Sequence, residues 1–225
     1  MKSVLTFINT KALLWLATFS ILLGSCKKDN LTANGNMKTV TRDLAVFASL
    51  HNSGSTPVHI VYGSTYKVEL KGSSNLIPYF KTTVSNGKLE VGYERASVRH
   101  DDVEVTVTIP TVSRISLSGS SRVDLSGAFP LIDFLSVDIS GSAVVLMKEA
   151  AAANKVDIDI SGSGSVDFEK LNCQNAKVSL SGSGDARVTV QDKLKANISG
   201  SGKVYYAGNP VVEANVSGSG KVIKF

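Results

Sequence analysis

The chain has 225 residues, enough for one β domain or two small ones with a sizeable core. It is 43% hydrophobic but only 7% aromatic, and its 19 glycines exceed the usual share of about 7%, a composition suited to strands joined by many tight corners. The formal charge of +5 falls to +3 without Lys2 and Lys11 of the first 25 residues, and Lys and Arg are gathered in no single stretch, so nucleic acid is not an indicated partner.

The first element in chain order is a leader over residues 1–25. Lys2 and Lys11 precede an apolar run from Ala12 to Leu23, which gives way to Gly24-Ser25-Cys26. The run is too short for an ordinary transmembrane helix of roughly 20 residues. Leu23-Gly24-Ser25-Cys26 looks like a bacterial lipobox, whose thiol receives a diacylglycerol before cleavage. Each buried acyl methylene contributes about 0.8 kcal/mol, so a chain lipidated at Cys26 is held to a membrane without spanning it. The expected location is the outer membrane or the cell surface, with the periplasmic face as the other option. Residues 26–39 are polar and aperiodic, as a flexible lipidated tether should be. With Cys26 acylated, Cys173 has no partner for a disulfide and reads as a buried structural thiol.

Residues 40–110 carry alternating apolar and polar positions in Val58-His-Ile-Val-Tyr62, Tyr66-Lys-Val-Glu-Leu70 and Val103-Glu-Val-Thr-Val-Thr-Ile109. Asn86-Gly87 between Val84 and Leu89 predicts a hairpin, since a type I′ turn needs positive φ at both central positions. This segment is expected to form an N-terminal β cap.

Residues 111–225 hold six copies of one unit: an aliphatic residue, Ser-Gly-Ser, usually a second Gly, a variable residue and a mostly aliphatic one. The copies begin at Leu117, Ile139, Ile160, Leu180, Ile198 and Val216, and successive first glycines are 22, 21, 20, 18 and 18 residues apart. A near-constant period flanked by alternating strands, as in Val156-Asp-Ile-Asp-Ile160, predicts an all-β fold. The expected form is a single-stranded parallel β-helix, a β-solenoid of right-handed sense, with Ser-Gly-Ser-Gly corners. Glycine suits a sharp bend, and the serine hydroxyls are expected to bond backbone groups or one another up the stack. The C-terminal end has no comparable cover, and Phe225 or a partner is expected to close it.

Arg42-Asp-Leu-Ala-Val-Phe47, Val58-His-Ile-Val-Tyr-Gly63, Asn75-Leu-Ile-Pro-Tyr79, Asn86-Gly-Lys-Leu-Glu-Val91, the strand ending at Pro110 and the Ser-Gly repeats form an ordered series. Across residues 40–225 this series resembles the bacterial auto-transporter adhesin family, also called the head GIN domain family. The resemblance implies a β-helix in a secreted or surface protein, often lipid-anchored, and brings no catalytic motif or cofactor.

Stacking aligns the residue before each repeat into a polar stripe: Ser116, Asp138, Asp159, Ser179, Asn197 and Asn215. Asp138, Asp159, Asn197 and Asn215 are the candidate ligand residues, for glycan hydroxyls or a shared cation, against the alternative of a solvated ladder. Asp157 and Asp159 are the best pair for a carbohydrate-active enzyme of the β-helix type, although alternation with Val156, Ile158 and Ile160 accounts for them as the wet face of a strand. His51, His59 and His100 all precede the repeats, the Gly-x-Ser-x-Gly elbow is missing, and no phosphate-binding glycine motif occurs. The reading is a non-enzymatic, lipid-anchored envelope module with no cofactor or metal. Its expected partners are a membrane through the anchor, a glycan or surface protein, and further copies of itself.

Overall fold

The computed structural model describes residues 29–94 and 96–225; the leader of residues 1–25 and the lipidation site Cys26 lie outside them. The described chain is an all-β solenoid of about six turns. Each coil lays down two strands, one before the Ser-Gly corner and one after it, so two parallel walls build up side by side. The first wall stacks Arg114–Leu117, Ile132–Gly141, Ala151–Gly162, residues 172–182, residues 193–200 and Val211–Gly218. The second stacks Arg122–Ser126, Val144–Met147, residues 165–168, residues 185–189, Lys203–Ala207 and Lys221–Lys224. Neighbouring rungs lie about 4.8 Å apart.

Alternation within each strand sets which side chains turn inward. Ile115, Val137, Ile158, Val178 and Ala196 form one buried column, Leu117, Ile139, Ile160, Leu180 and Ile198 a second, and Val123, Val145, Val166, Ala186 and Val204 a third from the other wall. Burying a Val, Leu or Ile side chain contributes roughly 1.5–3 kcal/mol, and stacking lets every inner coil bury its own against two others.

The corners hold through backbone, not through serine side chains. The Ser142, Ser163, Ser183 and Ser201 N–H groups donate to the carbonyls of Gly119, Gly141, Gly162 and Gly182 in the coil before, at 2.8–2.9 Å. Among the described residues no corner serine hydroxyl makes a hydrogen bond within the chain, contrary to the expected ladder: Ser121, in the place of the second glycine of the first corner, keeps its Oγ buried without a partner, while the exposed serines at 161, 163, 181, 183, 199 and 201 are left to water or a ligand. Gly162 and Gly182 adopt φ of 131° and 124°, and a Cβ on either would stand 2.5 Å from the carbonyl oxygen of the glycine one coil earlier.

The segment of residues 40–110 contributes more than a cover. Ser49–Asn52 and Val58–Tyr62 pair in parallel with Arg114–Leu117 and Arg122–Ser126, and on their other side with Lys88–Tyr93 and Glu104–Ile109. These are further rungs of both walls, and their order in space departs from chain order, because the later coil of residues 88–109 stacks outside the earlier one of 49–62. Antiparallel strands then finish the walls. Phe80–Ser85 pairs with Lys88–Tyr93 through the expected turn, with φ of 52° at Asn86 and 71° at Gly87. Lys67–Ser73 lies between Glu104–Ile109 and Met37–Arg42, and Asp29–Thr32 pairs in parallel with Ala96–Arg99, so residues 29–39 are held by backbone pairing instead of forming the flexible tether expected over residues 26–39. The switch to antiparallel pairing ends the stack without presenting another coil edge.

At the other end, Phe225 does not plug the core. Its ring is 49% exposed and rests 4.9 Å from the Arg187 guanidinium on the outer surface, while Val216, aligned with buried Ile198, is 45% exposed. Inward-facing Val190 and Cys173 sit at the bend between the walls, and Cys173 is 1% exposed with its thiol on the Thr189 carbonyl at 3.3 Å. Burial pushes that thiol up to about 12. The native protein is therefore expected to resist a thiol reagent such as DTNB at pH 8 and to react with it fully once unfolded in guanidinium; rapid native labelling would show that the bend opens.

Candidate ligand-binding groove on the first wall

Two outward columns of the first wall run side by side. Register places Glu90, His51, Ser116, Asp138, Asp159, Ser179, Asn197 and Asn215 in one line, which contains the whole stripe expected from the repeats. Two residues further along each strand stand the corner serines Ser118, Ser140, Ser161, Ser181, Ser199 and Ser217. Between these columns lies a shallow groove. Its C-terminal part encloses about 550 Å³ and is lined by Asp159, Ser179, Asn197, Asn215 and the corner serines, and its N-terminal part, about 250 Å³, by His51, Ser116, Asp138 and Asp159. Asn215 donates its amide to Asn197 Oδ1 at 3.1 Å, so part of the stripe is an asparagine ladder.

A third hollow of about 190 Å³ opens on the opposite side of the stripe, lined by Arg114, Phe134, Asp138, Asp157, Asp159, Lys177 and Ser179. Asp159 thus borders all three. Arg114 lies 3.5 Å from Asp138, and Lys155 lies 3.3 Å from Asp157 and 5.1 Å from the centre of the Phe134 ring. Asp159 and Lys177 have no ion-pair partner among the described residues. In the sequence Phe134 reads as one of a few scattered repeat aromatics that offer no evident sugar-stacking platform, and Arg114 carries no signal; stacking of coils whose bends differ in length brings the two to one hollow. The corner serines were read as architecture, although their place two residues beyond the stripe puts them on the same outward face.

Asp138 and Asp159 are register neighbours, but Asp138 is engaged by Arg114 and Ser136, and among the described residues no three His, Cys, Asp or Glu side chains converge as a metal cage would require. Asp157 and Asp159 sit on one strand with Asp157 held by Lys155, an arrangement of two outward acids on a single rung. His59 does meet an acid. Its Nδ1 lies 3.0 Å from Asp124, whose side chain is 4% exposed and also takes the Lys148 ammonium at 2.8 Å. Thr106 is the register neighbour of His59, yet among the described residues no hydroxyl is hydrogen-bonded to the ring, so this group lacks the nucleophile of a triad.

Burial pushes the Asp124 carboxyl up, but hydrogen bonds from Lys148 and His59 outweigh it and hold the group below the usual carboxylate range. A carboxyl depressed in the folded state contributes stability that is present above its unfolded value of about 3.9 and is lost as pH falls through the folded value. Asp124→Asn should therefore lower stability at pH 7 by about 1–2 kcal/mol and flatten the acid limb of the wild-type curve below about pH 4. Urea melts at pH 7, 4 and 3 test both. Equal acid limbs in the two proteins would show that other carboxyls carry the effect.

The architecture and its groove define a class: a β-solenoid that displays a repetitive polar wall, with its side-chain chemistry spread along the stack. The family described as "Putative auto-transporter adhesin, head GIN domain" matches residues 46–210, and the chain belongs to it. A "putative adhesin" from Bacteroides fragilis has the same fold, with a TM-score of 0.69 at 16% identity over 86% of this chain and 99% of that one. A "putative adhesin" from Parabacteroides distasonis gives 0.63 at 22% over 88% and 100%, and a "putative lipid binding protein" from the same species gives 0.59 at 17% over 88% and 100%. None of the curated proteins matches. The names carried by the family and by the two adhesins fit an adhesin-like role.

Proposed function

We propose that this chain is a non-enzymatic cell-envelope lipoprotein, anchored through Cys26, that acts as an adhesin or interaction module through the groove of the first wall. The observation that carries the reading is the continuity of that groove: outward serine hydroxyls without partners among the described residues and the Asp138, Asp159, Asn197 and Asn215 stripe recur in register over successive coils. Such a surface offers donors and acceptors at a fixed spacing of about 4.8 Å, which suits an extended, hydroxyl-rich chain better than a compact solute. Any one contact is weak in water, and repetition along the wall supplies avidity. The lipobox-like Leu23-Gly24-Ser25-Cys26 supports the anchor, and because Asp29–Thr32 already pairs with Ala96–Arg99, only the few residues between Cys26 and Asp29 separate the anchor from the folded domain.

Protease shaving of intact cells tests the location this role needs, with lysed cells showing that the domain is cleavable and a periplasmic protein as control. Loss from intact cells is the expected result. Protection on intact cells together with cleavage after lysis would overturn a role in contact with hosts or neighbouring cells.

A further inference from the structure

We infer that the hollow beside Phe134 is a subsite for one neutral pyranose ring, an inference that rests on reading the first wall as a ligand-binding surface. Phe134 is an aromatic side chain set 36% exposed on a wall otherwise lined by serine, asparagine and charged groups. An exposed aromatic ring gains by covering itself with apolar surface, and the C–H face of a sugar ring is apolar while its rim is not. The Lys155 ammonium lies over the Phe134 ring, 5.1 Å from its centre, and Phe134 lines the hollow, so a sugar seated on the face under Lys155 must displace that ammonium toward Asp157, its ion-pair partner.

The charges around the ring select a neutral ligand. Arg114 is paired with Asp138 and Lys155 with Asp157, so these four groups compensate one another and leave no net field for an ionic guest. Asp159 and Lys177, without ion-pair partners among the described residues, remain as one acceptor and one donor on the same rim. Vicinal hydroxyls, each able to donate and accept, satisfy such a pair, whereas a carboxylate or ammonium would satisfy one member and repel the other. Asp159 is exposed and keeps part of its hydration when it takes a hydroxyl, so that contact costs little desolvation. The hollow of about 190 Å³ has room for a single ring, and its border at Asp159 opens into the long groove. A bound chain would then seat one unit on Phe134 and run its neighbours past Ser179, Asn197 and Asn215.

The test is a two-dimensional amide NMR titration of residues 27–225 with the methyl glycosides of glucose, galactose and mannose, and with methyl glucuronide as the charged probe. Polysaccharide gels then give affinities of the wild type, Phe134→Ala and Asn197→Ala. The expected result is shifts centred on Phe134, Asp159 and Lys177 with a neutral glycoside and none with glucuronide. Phe134→Ala should weaken binding about tenfold, roughly what losing one aromatic contact face removes, and the partial exposure of Phe134 lets the variant fold, which its spectrum checks. Shifts confined to Asn197 and Asn215, or polysaccharide binding indifferent to Phe134→Ala, would overturn the subsite and leave the groove standing. Shifts with glucuronide alone would overturn the neutral specificity. Silence in every titration and every gel would overturn the subsite and its glycan class together, while the shaving experiment still decides the envelope role on its own.

Discussion

Gly182→Ala is expected to destabilise the solenoid by about 3 kcal/mol or more, and to do so by fraying the coils on either side of the corner. Two costs add. Gly182 has a φ of 124°, a region that side chains rarely enter and that costs roughly 1–3 kcal/mol. The new methyl would also stand 2.5 Å from the Gly162 carbonyl oxygen and 3.2 Å from its carbon, and backbone cannot swing aside as a flexible side chain does. That carbonyl accepts the Ser183 N–H at 2.9 Å, so relieving the clash breaks the rung that joins the two coils. Stability in a stacked array is a sum of coil and neighbour terms, and a loss at this corner weakens the pairing of residues 172–182 with Ala151–Gly162. Gly87→Ala is the control: its φ is 71° but no atom lies within 4 Å of the new methyl, so it should cost only about 1–2 kcal/mol of strain. Urea denaturation gives the totals, and hydrogen exchange locates the fraying. Equal losses at Gly182 and Gly87 would show that conformation alone, without inter-coil contact, sets the glycine requirement.

Phe168→Ala should cost about 3–5 kcal/mol, the range for emptying a buried aromatic site. Phe168 is fully buried in an inward column that passes through Leu125, Met147 and Val188 and ends on Tyr206. Collapse around the void is hindered because each neighbour is fixed by the parallel ladder of its own rung, so the cavity term should be retained in full. Phe168→Leu, which keeps most of the volume, is expected to recover at least half the loss. Melting curves of the three proteins read this directly, and identical losses for Ala and Leu would mean that ring geometry, more than volume, holds the column.

Much of this fold was legible because its repeats are local facts. The step of 18–22 residues between glycines sets coil length, and the alternation around Ile160 or Val178 sets the inward columns; both survive into the structure with the register they imply. The candidate stripe was legible for the same reason, since residues at one phase of a repeat must stack. The hairpin at Asn86-Gly87 followed from the turn chemistry of two residues. What was misread has a common cause as well. The serine ladder failed because the glycine carbonyls accept the neighbouring backbone N–H groups first, which turns the hydroxyls outward. Of the two covers expected for the end of the stack, Phe225 or a partner, Phe225 does not serve, because its ring finds the Arg187 guanidinium on the outer face.

By itself, then, the sequence determined the all-β class, the repeating corner, the sides of each strand and the chemistry of the outward stripe, because these depend on periods of two and of about twenty residues along one chain. Only the tertiary structure decided that the coil of residues 88–109 stacks outside the coil of 49–62, that Asp124 is buried between His59 and Lys148, and that Phe134 meets Arg114 and Lys177 around one hollow. Each of these joins residues brought together by the stacking of coils of unequal length. Where a bend takes up an extra residue or two, only the pairing free energy of whole rungs settles which side chains become neighbours.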